Sequence, residues 1–263
     1  LGSSHECAGL TFGLQTGSVT VMFPFRDHNP SNRTPFVTWT LIAINIIIFA
    51  SYATFDERST AMVFYSWGLV PVLSSPETFL TSMFLHGGLM HLAGNMLFLY
   101  VFGDNMEDQM GHLGFLLFYL AGGLAAAVAQ VISDPSSQIP VVGASGAIAG
   151  VMGGYLLMFP RARVDVLLIL IIFLRVIPVP AYIVLGAWFA IQLVQGWAVP
   201  TVGGGVAYWA HAGGFGAGLL LTIPIWRKRG GPAFWRRTQG HPPHPEARYR
   251  MVKTHVPTVR RSR

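Results

Sequence analysis

Ser145 and His211 are the side chains best suited to chemistry in this sequence, because each stands in a stretch where polar groups are scarce. Ser145 lies in Gly143-Ala144-Ser145-Gly146-Ala147, and His211 lies in Trp209-Ala210-His211-Ala212-Gly213-Gly214. A hydroxyl and an imidazole in lipid-like surroundings are costly and need a reason. Together they are the minimum set for nucleophilic acyl transfer. The imidazole takes the serine proton, the oxygen attacks a carbonyl, and the ring returns the proton to the leaving amine. A tight turn entering a helix is the structural alternative for Gly-Ala-Ser-Gly, which alone is a weak signal.

Acyl transfer also needs donors for the oxygen that becomes negative. Leu85-His86-Gly87-Gly88-Leu89-Met90-His91-Leu92-Ala93-Gly94-Asn95 is the densest polar signal in the apolar region. His91 and Asn95 are four residues apart and share one helix face. With the Ser145 backbone N–H, free if Ser145 opens a helix, they form a candidate oxyanion site. Bridging between helices is the plainer role for such residues. His86 is turned away from His91 and suits a loop-fixing or helix-mouth role. A zinc site would draw on His86, His91 and His211, but no His-Glu-x-x-His motif and no suitably placed acid accompany them, so no metal or cofactor is expected. Asp134 and Asp165 fall too far from the pair to orient His211, so a Ser145–His211 dyad is expected rather than a triad.

The elements that position these residues are membrane spans. The 263 residues are 52% apolar and only 11% charged, where soluble domains carry about 25% charge. Six spans are predicted, each near the roughly 20 apolar residues a bilayer requires: Phe36–Tyr52, Gly88–Phe102, His112–Ile132, Ser145–Phe159, Tyr182–Trp197 and Tyr208–Ile225. Residues 166–197 are the ambiguous stretch, broken by Arg175, Pro178 and Pro180. Val166–Leu174 reads as a short membrane-dipping or interfacial segment before the fifth span. A seven-span reading is the alternative and would move the C-terminus to the other side. The fourth span has fifteen residues, about 22 Å of helix, so Ser145 must lie below the outer surface. The loop before it then dips inward, and a water-filled cavity is where such backbone is tolerated. Gly146 and Gly150 share a face, as do Gly214 and Gly218, which lets the fourth and sixth spans touch.

Basic residues mark the cytoplasmic side. Arg26, Arg33, Arg161, Arg163 and Arg227-Lys228-Arg229 agree on both termini being cytoplasmic, and the acidic Asp104, Glu107 and Asp108 after the second span conflict with this only weakly. Residues 1–35 read as a cytoplasmic segment, 36–226 as the membrane domain, and 227–263 as a basic, disordered tail. The tail holds eleven of the seventeen basic residues and suits contact with anionic headgroups rather than nucleic acid. Met22 looks like a natural start, which would make residues 1–21 an over-extension, and no signal peptide is visible. Cys7 is the single cysteine, so neither an intrachain disulfide nor a thiolate metal site is available.

The serine, histidine and asparagine motifs, in this order and placement, resemble the rhomboid family of intramembrane serine proteases over roughly Phe36–Ile225. Leu80-Thr-Ser-Met-Phe-Leu-His86 and Phe102-Gly-Asp-Asn-Met-Glu-Asp108 look like its prokaryotic branch. The resemblance implies an all-α, six-span bundle and a Ser145–His211 dyad whose site opens toward the outside. It also implies an oxyanion site of His91, Asn95 and Ser145, a partly embedded loop between the first two spans, and cleavage of single-span membrane proteins. Compact form and short loops suit a bacterial cytoplasmic membrane. One departure stands out: Glu77-Thr78 occupies the place where many members carry a Trp-Arg pair. Two other functions compete. A catalytically inactive client-binding protein would use the same bundle, and a transporter would also place polar groups within spans, although no internal repeat is evident.

Overall fold

The computed structural model describes residues 20–27, 31, 33–170, 173–198 and 205–242. In chain order the elements are strand β1 (Thr20–Asp27), helices α1 (Phe36–Tyr52), α2 (Glu57–Trp67), α3 (Thr78–Thr81), α4 (Leu89–Met110), α5 (His112–Ser133) and α6 (Ser145–Met158), strands β2 (Arg163–Leu170) and β3 (Phe173–Pro180), and helices α7 (Ala181–Ala198), α8 (Tyr208–Lys228) and α9 (Pro232–Thr238). Helices α1, α4, α5, α6, α7 and α8 occupy the six segments expected to span. By length and composition, α5 and α7 can each cross a membrane, and α3 with α4 makes a third span if that pair, bent by 96°, counts as one. Helices α1 and α6 are shorter apolar helices.

Helix α6 is the centre of the bundle. Every residue from Gly146 to Tyr155 is buried, and Met158 and Phe159 are fully enclosed. A helix apolar on all sides has to be surrounded, and α6 meets α4, α5 and α8. Its approach to α8 is set by glycine. A Cβ on Gly218 would overlap the Gly150 backbone, and one on Gly214 would overlap the Gly146 carbonyl oxygen. A Cβ on Gly150 would meet both Gly214 O of α8 at 3.3 Å and Gly122 Cα of α5 at 3.4 Å. The two glycine pairs therefore bring α6 and α8 together backbone to backbone.

The segment between α1 and α4 is folded against the bundle, with Leu69, Val70, Met83 and Leu85 buried. Leu69 pairs with Val141, and Val72 N–H donates to Ser137 O at 3.1 Å, which ties this segment to the loop before α6. Glu77-Thr78 is held by short local bonds: Ser75 Oγ donates to Glu77 Oε1 at 2.8 Å, and Thr78 Oγ1 donates to Ser75 O at 2.7 Å. At the break between α3 and α4, the Tyr52 hydroxyl of α1 accepts from His86 N–H at 2.7 Å and donates to His86 O at 3.0 Å. Irregular backbone inside an apolar bundle needs such partners.

Three features depart from the sequence reading. Residues 166–170 and 173–174 fall in the antiparallel strands β2 and β3, and β1 adds to β2 with Thr20 opposite Leu170 and Asp27 opposite Val164. The helical bundle thus carries a small sheet in the order β1-β2-β3. Pro178 and Pro180 sit on β3, an edge strand, where a missing N–H is tolerated. Next, Glu107 is no loop charge. It is 1% exposed and accepts from the N–H groups of Val37 and Thr38 at 2.9 and 2.8 Å, from Thr38 Oγ1 at 2.7 Å, and contacts His112 Nδ1 at 2.5 Å. The carboxylate caps the first turn of α1, whose N–H groups have no partner within their own helix. Finally, the described part of the basic tail is folded: Phe234 of α9 is buried against Phe159, Trp235 Nε1 donates to Leu157 O at 2.9 Å, and Arg161 N–H donates to Gly240 O at 3.0 Å. Residues 243–263, Cys7 and the stretch 1–19 lie outside the described residues.

Gly218→Ala is expected to destabilise the fold by about 1–3 kcal/mol or more, whereas Gly216→Ala, whose Cβ would meet nothing within 4 Å, is expected to be neutral or to stabilise by up to about 1 kcal/mol. Glu107→Leu is expected to cost about 3 kcal/mol, since it leaves a set of buried donors without their charged acceptor. Thermal unfolding of the purified protein in one detergent checks all three, and equal midpoints for Gly218→Ala and Gly216→Ala would refute the packing argument.

Candidate active site

Ser145 is the first residue of α6, and His211 is in the first turn of α8. The glycine contacts lie just beyond them, Gly146 against Gly214 and Gly150 against Gly218. Two helices held this close leave little room between their ends, and Ser145 Oγ is 2.7 Å from His211 Nε2. Ser145 is half-buried and His211 is buried. The distance is within reach for direct proton transfer.

The far side of the His211 ring is occupied as well. Nδ1 is 2.8 Å from Oε1 of Gln192, a buried residue of α7. Trp188, one turn earlier on α7, packs against the same ring with centroids 5.6 Å apart and planes at 35°. The start of α8 is braced from α5, where Gln130 Oε1 accepts from Ala210 N–H at 3.2 Å. Tyr208 opens α8 half-buried, and Trp209 lies beside Gly196 of α7, whose Cβ would meet the indole at 3.2 Å.

Gly143 joins the serine to α4. Its φ is +131°, a conformation that disfavours any side chain. A Cβ there would lie 2.8 Å from His91 Cε1, 2.9 Å from His91 Nε2 and 3.6 Å from Ser145 Oγ. The His91 ring and the serine hydroxyl thus border the same small space. Gly87 N–H donates to His91 Nδ1 at 3.3 Å, so the neutral ring carries its proton on Nε2, the atom beside that space. Asn95 is 8% exposed, and its Nδ2 makes no hydrogen bond among the described residues. An unsatisfied buried donor calls for an explanation. The loop itself is held by Gly143 N–H, which donates to Ser82 O at 2.9 Å.

The geometry therefore brings together Ser145 and His211, and sets His91 beside them. His86 is fully buried and packs on His91 with ring centroids 5.2 Å apart, behind the site rather than within it. Among the described residues no group of three or more His, Cys, Asp or Glu side chains is placed to hold a metal. Gln192, Trp188 and Gln130 were not singled out from the sequence. The signal was present: Gln130, and Gln192 with Gln195, are amides in otherwise apolar helices, the same anomaly that marks His211. Searching for an acid as the partner of His211 passes over an amide that makes the same contact.

Comparison with known proteins agrees with this architecture. The Rhomboid domain family matches residues 74–228. "Rhomboid protein 1, mitochondrial" of Saccharomyces cerevisiae is 30% identical over 203 residues, 74% of this chain and 54% of that protein. "Rhomboid-related protein 2" of Mus musculus is 32% identical over 156 residues, 56% of this chain and 47% of that protein. "Rhomboid protease GluP" of Bacillus subtilis is 29% identical over 197 residues, 73% of this chain and 36% of that protein. The chain thus spans about half or less of the length of these relatives. The family match covers α3 through α8, and so includes the serine, both site histidines, the asparagine and the glycine contacts that set their spacing. This chain belongs to the rhomboid family.

Proposed function

We propose that this chain is an intramembrane serine endopeptidase that hydrolyses peptide bonds in or near the transmembrane segments of membrane proteins. The observation that carries the reading is the 2.7 Å contact between Ser145 Oγ and His211 Nε2 inside an apolar helical bundle. Ser145 is the nucleophile. His211 accepts its proton as the oxygen attacks the scissile carbonyl, then donates that proton to the leaving amine, so the peptide C–N bond breaks and an acyl-enzyme forms. Water, deprotonated by the same ring, releases the acyl group and regenerates the serine.

Charge develops on the carbonyl oxygen during both steps. The donors assigned to it are His91 Nε2–H, Asn95 Nδ2 and the Ser145 backbone N–H, which as the first of its helix has no intrahelical acceptor. Asn95 Nδ2 makes no hydrogen bond among the described residues, which fits a donor whose acceptor arrives with the substrate. A helical substrate hides its carbonyls in hydrogen bonds, so segments weakened by Gly, Ser or Pro are the expected substrates. We further assign six membrane spans, with both termini on the cytoplasmic side of a bacterial inner membrane. Arg161, Arg163 and Arg227-Lys228-Arg229 support that orientation, since they lie at or just beyond the ends of α6 and α8 opposite Ser145 and His211. The basic residues after α8 are then in reach of anionic lipid headgroups.

The test uses purified protein in lipid with a panel of tagged single-span substrates and a fluorophosphonate probe. Wild type is expected to cleave and to be labelled, Ser145→Ala to do neither, and His211→Ala to lose cleavage. Asn95→Ala is expected to lower kcat by about 10²-fold while its thermal midpoint stays near that of wild type. Cleavage that persists in Ser145→Ala would end the nucleophile assignment. Absence of both cleavage and labelling in wild type would favour a client-binding protein of the same fold.

A further inference from the structure

The catalytic pair explains Ser145 and His211 but leaves Gln192 without a purpose. Gln192 is the buried polar residue of α7, in the run Ala181-Tyr-Ile-Val-Leu-Gly-Ala-Trp-Phe-Ala-Ile-Gln192-Leu-Val-Gln-Gly-Trp-Ala198. An amide buried there is destabilising unless it is hydrogen-bonded. Its Oε1 is 2.8 Å from His211 Nδ1.

With the amide oxygen turned to the ring, that contact favours one placement of the imidazole proton. An amide oxygen only accepts, so Nδ1 has to carry the hydrogen, and the neutral ring then has its lone pair on Nε2. Nε2 is the nitrogen facing Ser145 Oγ. The opposite tautomer would set two lone pairs against each other at Nδ1 and would point an N–H at the serine, which a base cannot use. Trp188, four residues before Gln192 and on the same face of α7, closes the ring from the side. Helix α7 thus supplies an acceptor and an aromatic wall to a histidine that belongs to α8.

We infer that Gln192 is a positioning residue for His211, holding the Nδ1–H tautomer that leaves Nε2 free to take the Ser145 proton. The inference rests on the reading of Ser145 and His211 as the catalytic pair. Gln192 meets the far side of the ring from Ser145 and acts through the ring. As a neutral dipole it orients the ring, and it stabilises the imidazolium formed during turnover less than a carboxylate would. The other titratable ring bordering the site is His91 of α4, held by its own partner Gly87.

Two measurements test this. Gln192→Leu, which removes the acceptor at similar bulk, is expected to lower kcat by about 10²-fold with KM unchanged, and Gln192→Glu, which keeps an accepting oxygen at the same reach, to recover most of that loss. The second uses wild type alone. The ¹⁵N shifts of its labelled imidazoles, with the His211 signals assigned by their absence in His211→Ala, are expected to report a protonated Nδ1 and an unprotonated Nε2 at neutral pH. Turnover in Gln192→Leu equal to that of wild type, or a proton on Nε2 in the spectrum, overturns the inference. A wild type that neither cleaves nor reacts with the fluorophosphonate removes the catalytic pair and this inference together, whereas an active wild type matched by Gln192→Leu removes this inference alone.

Discussion

The close approach of α6 and α8 is the constraint on which the rest depends. Glycine at 146, 150, 214 and 218 removes the side chains that would otherwise separate the helices, and a Cβ at Gly214 or Gly218 would overlap the facing backbone. In an apolar bundle with no hydrophobic drive between lipid-facing helices, such shape matching is a main source of attraction. It also has a chemical consequence. Ser145 and His211 lie one and three residues from the glycines that touch, so the helix separation sets the distance between Oγ and Nε2. Side chains that reached across a wider gap would have more freedom and a less definite geometry.

Around this contact, three buried polar groups tie distant elements together. The carboxylate of Glu107 caps α1, the hydroxyl of Tyr52 serves both backbone groups of His86, and the amide of Gln130 braces the start of α8. Each joins elements distant in sequence, so each fixes a helix position as well as satisfying a buried group. Asn95 Nδ2, one turn from His91, has no hydrogen-bond partner among the described residues, and neither do the His86 ring nitrogens or the Tyr119 hydroxyl. Under the proposed reaction an open donor at Asn95 would suit the oxyanion, because a group already engaged would have to break one bond to make another.

The helices were legible because hydropathy and glycine spacing are local signals, and the starts of α5, α6 and α8 fall where the sequence put them. Ser145 and His211 were legible for the opposite reason, as polar exceptions in those same runs. What escaped was relational. Strand β2 pairs with residues nearly a whole domain earlier in the chain, and nothing within 163–170 names β1 as its partner. Glu107 looked like a loop acid because its burial depends on the first turn of α1. Phe234 and Trp235 were hidden by averaging the composition of a basic tail, although two adjacent aromatics are enough to anchor a short helix to the C-terminal end of α6.

The two site histidines make a last point about how chemically identical side chains come to play different parts. His91 and His211 both present Nε2 to the region of the Ser145 hydroxyl. Their Nδ1 atoms meet opposite partners. A backbone N–H from Gly87 faces His91, and an amide oxygen from Gln192 faces His211. A donor at Nδ1 sends the proton of the neutral ring to Nε2, and an acceptor at Nδ1 keeps it away. One imidazole therefore offers the site an N–H and the other offers a lone pair, without a charged residue to distinguish them. The proposed reaction needs both offers at once, a lone pair to take the serine proton and a hydrogen to meet the oxyanion that the attack creates. Exchanging the two Nδ1 partners would leave every site side chain in its position and remove the base.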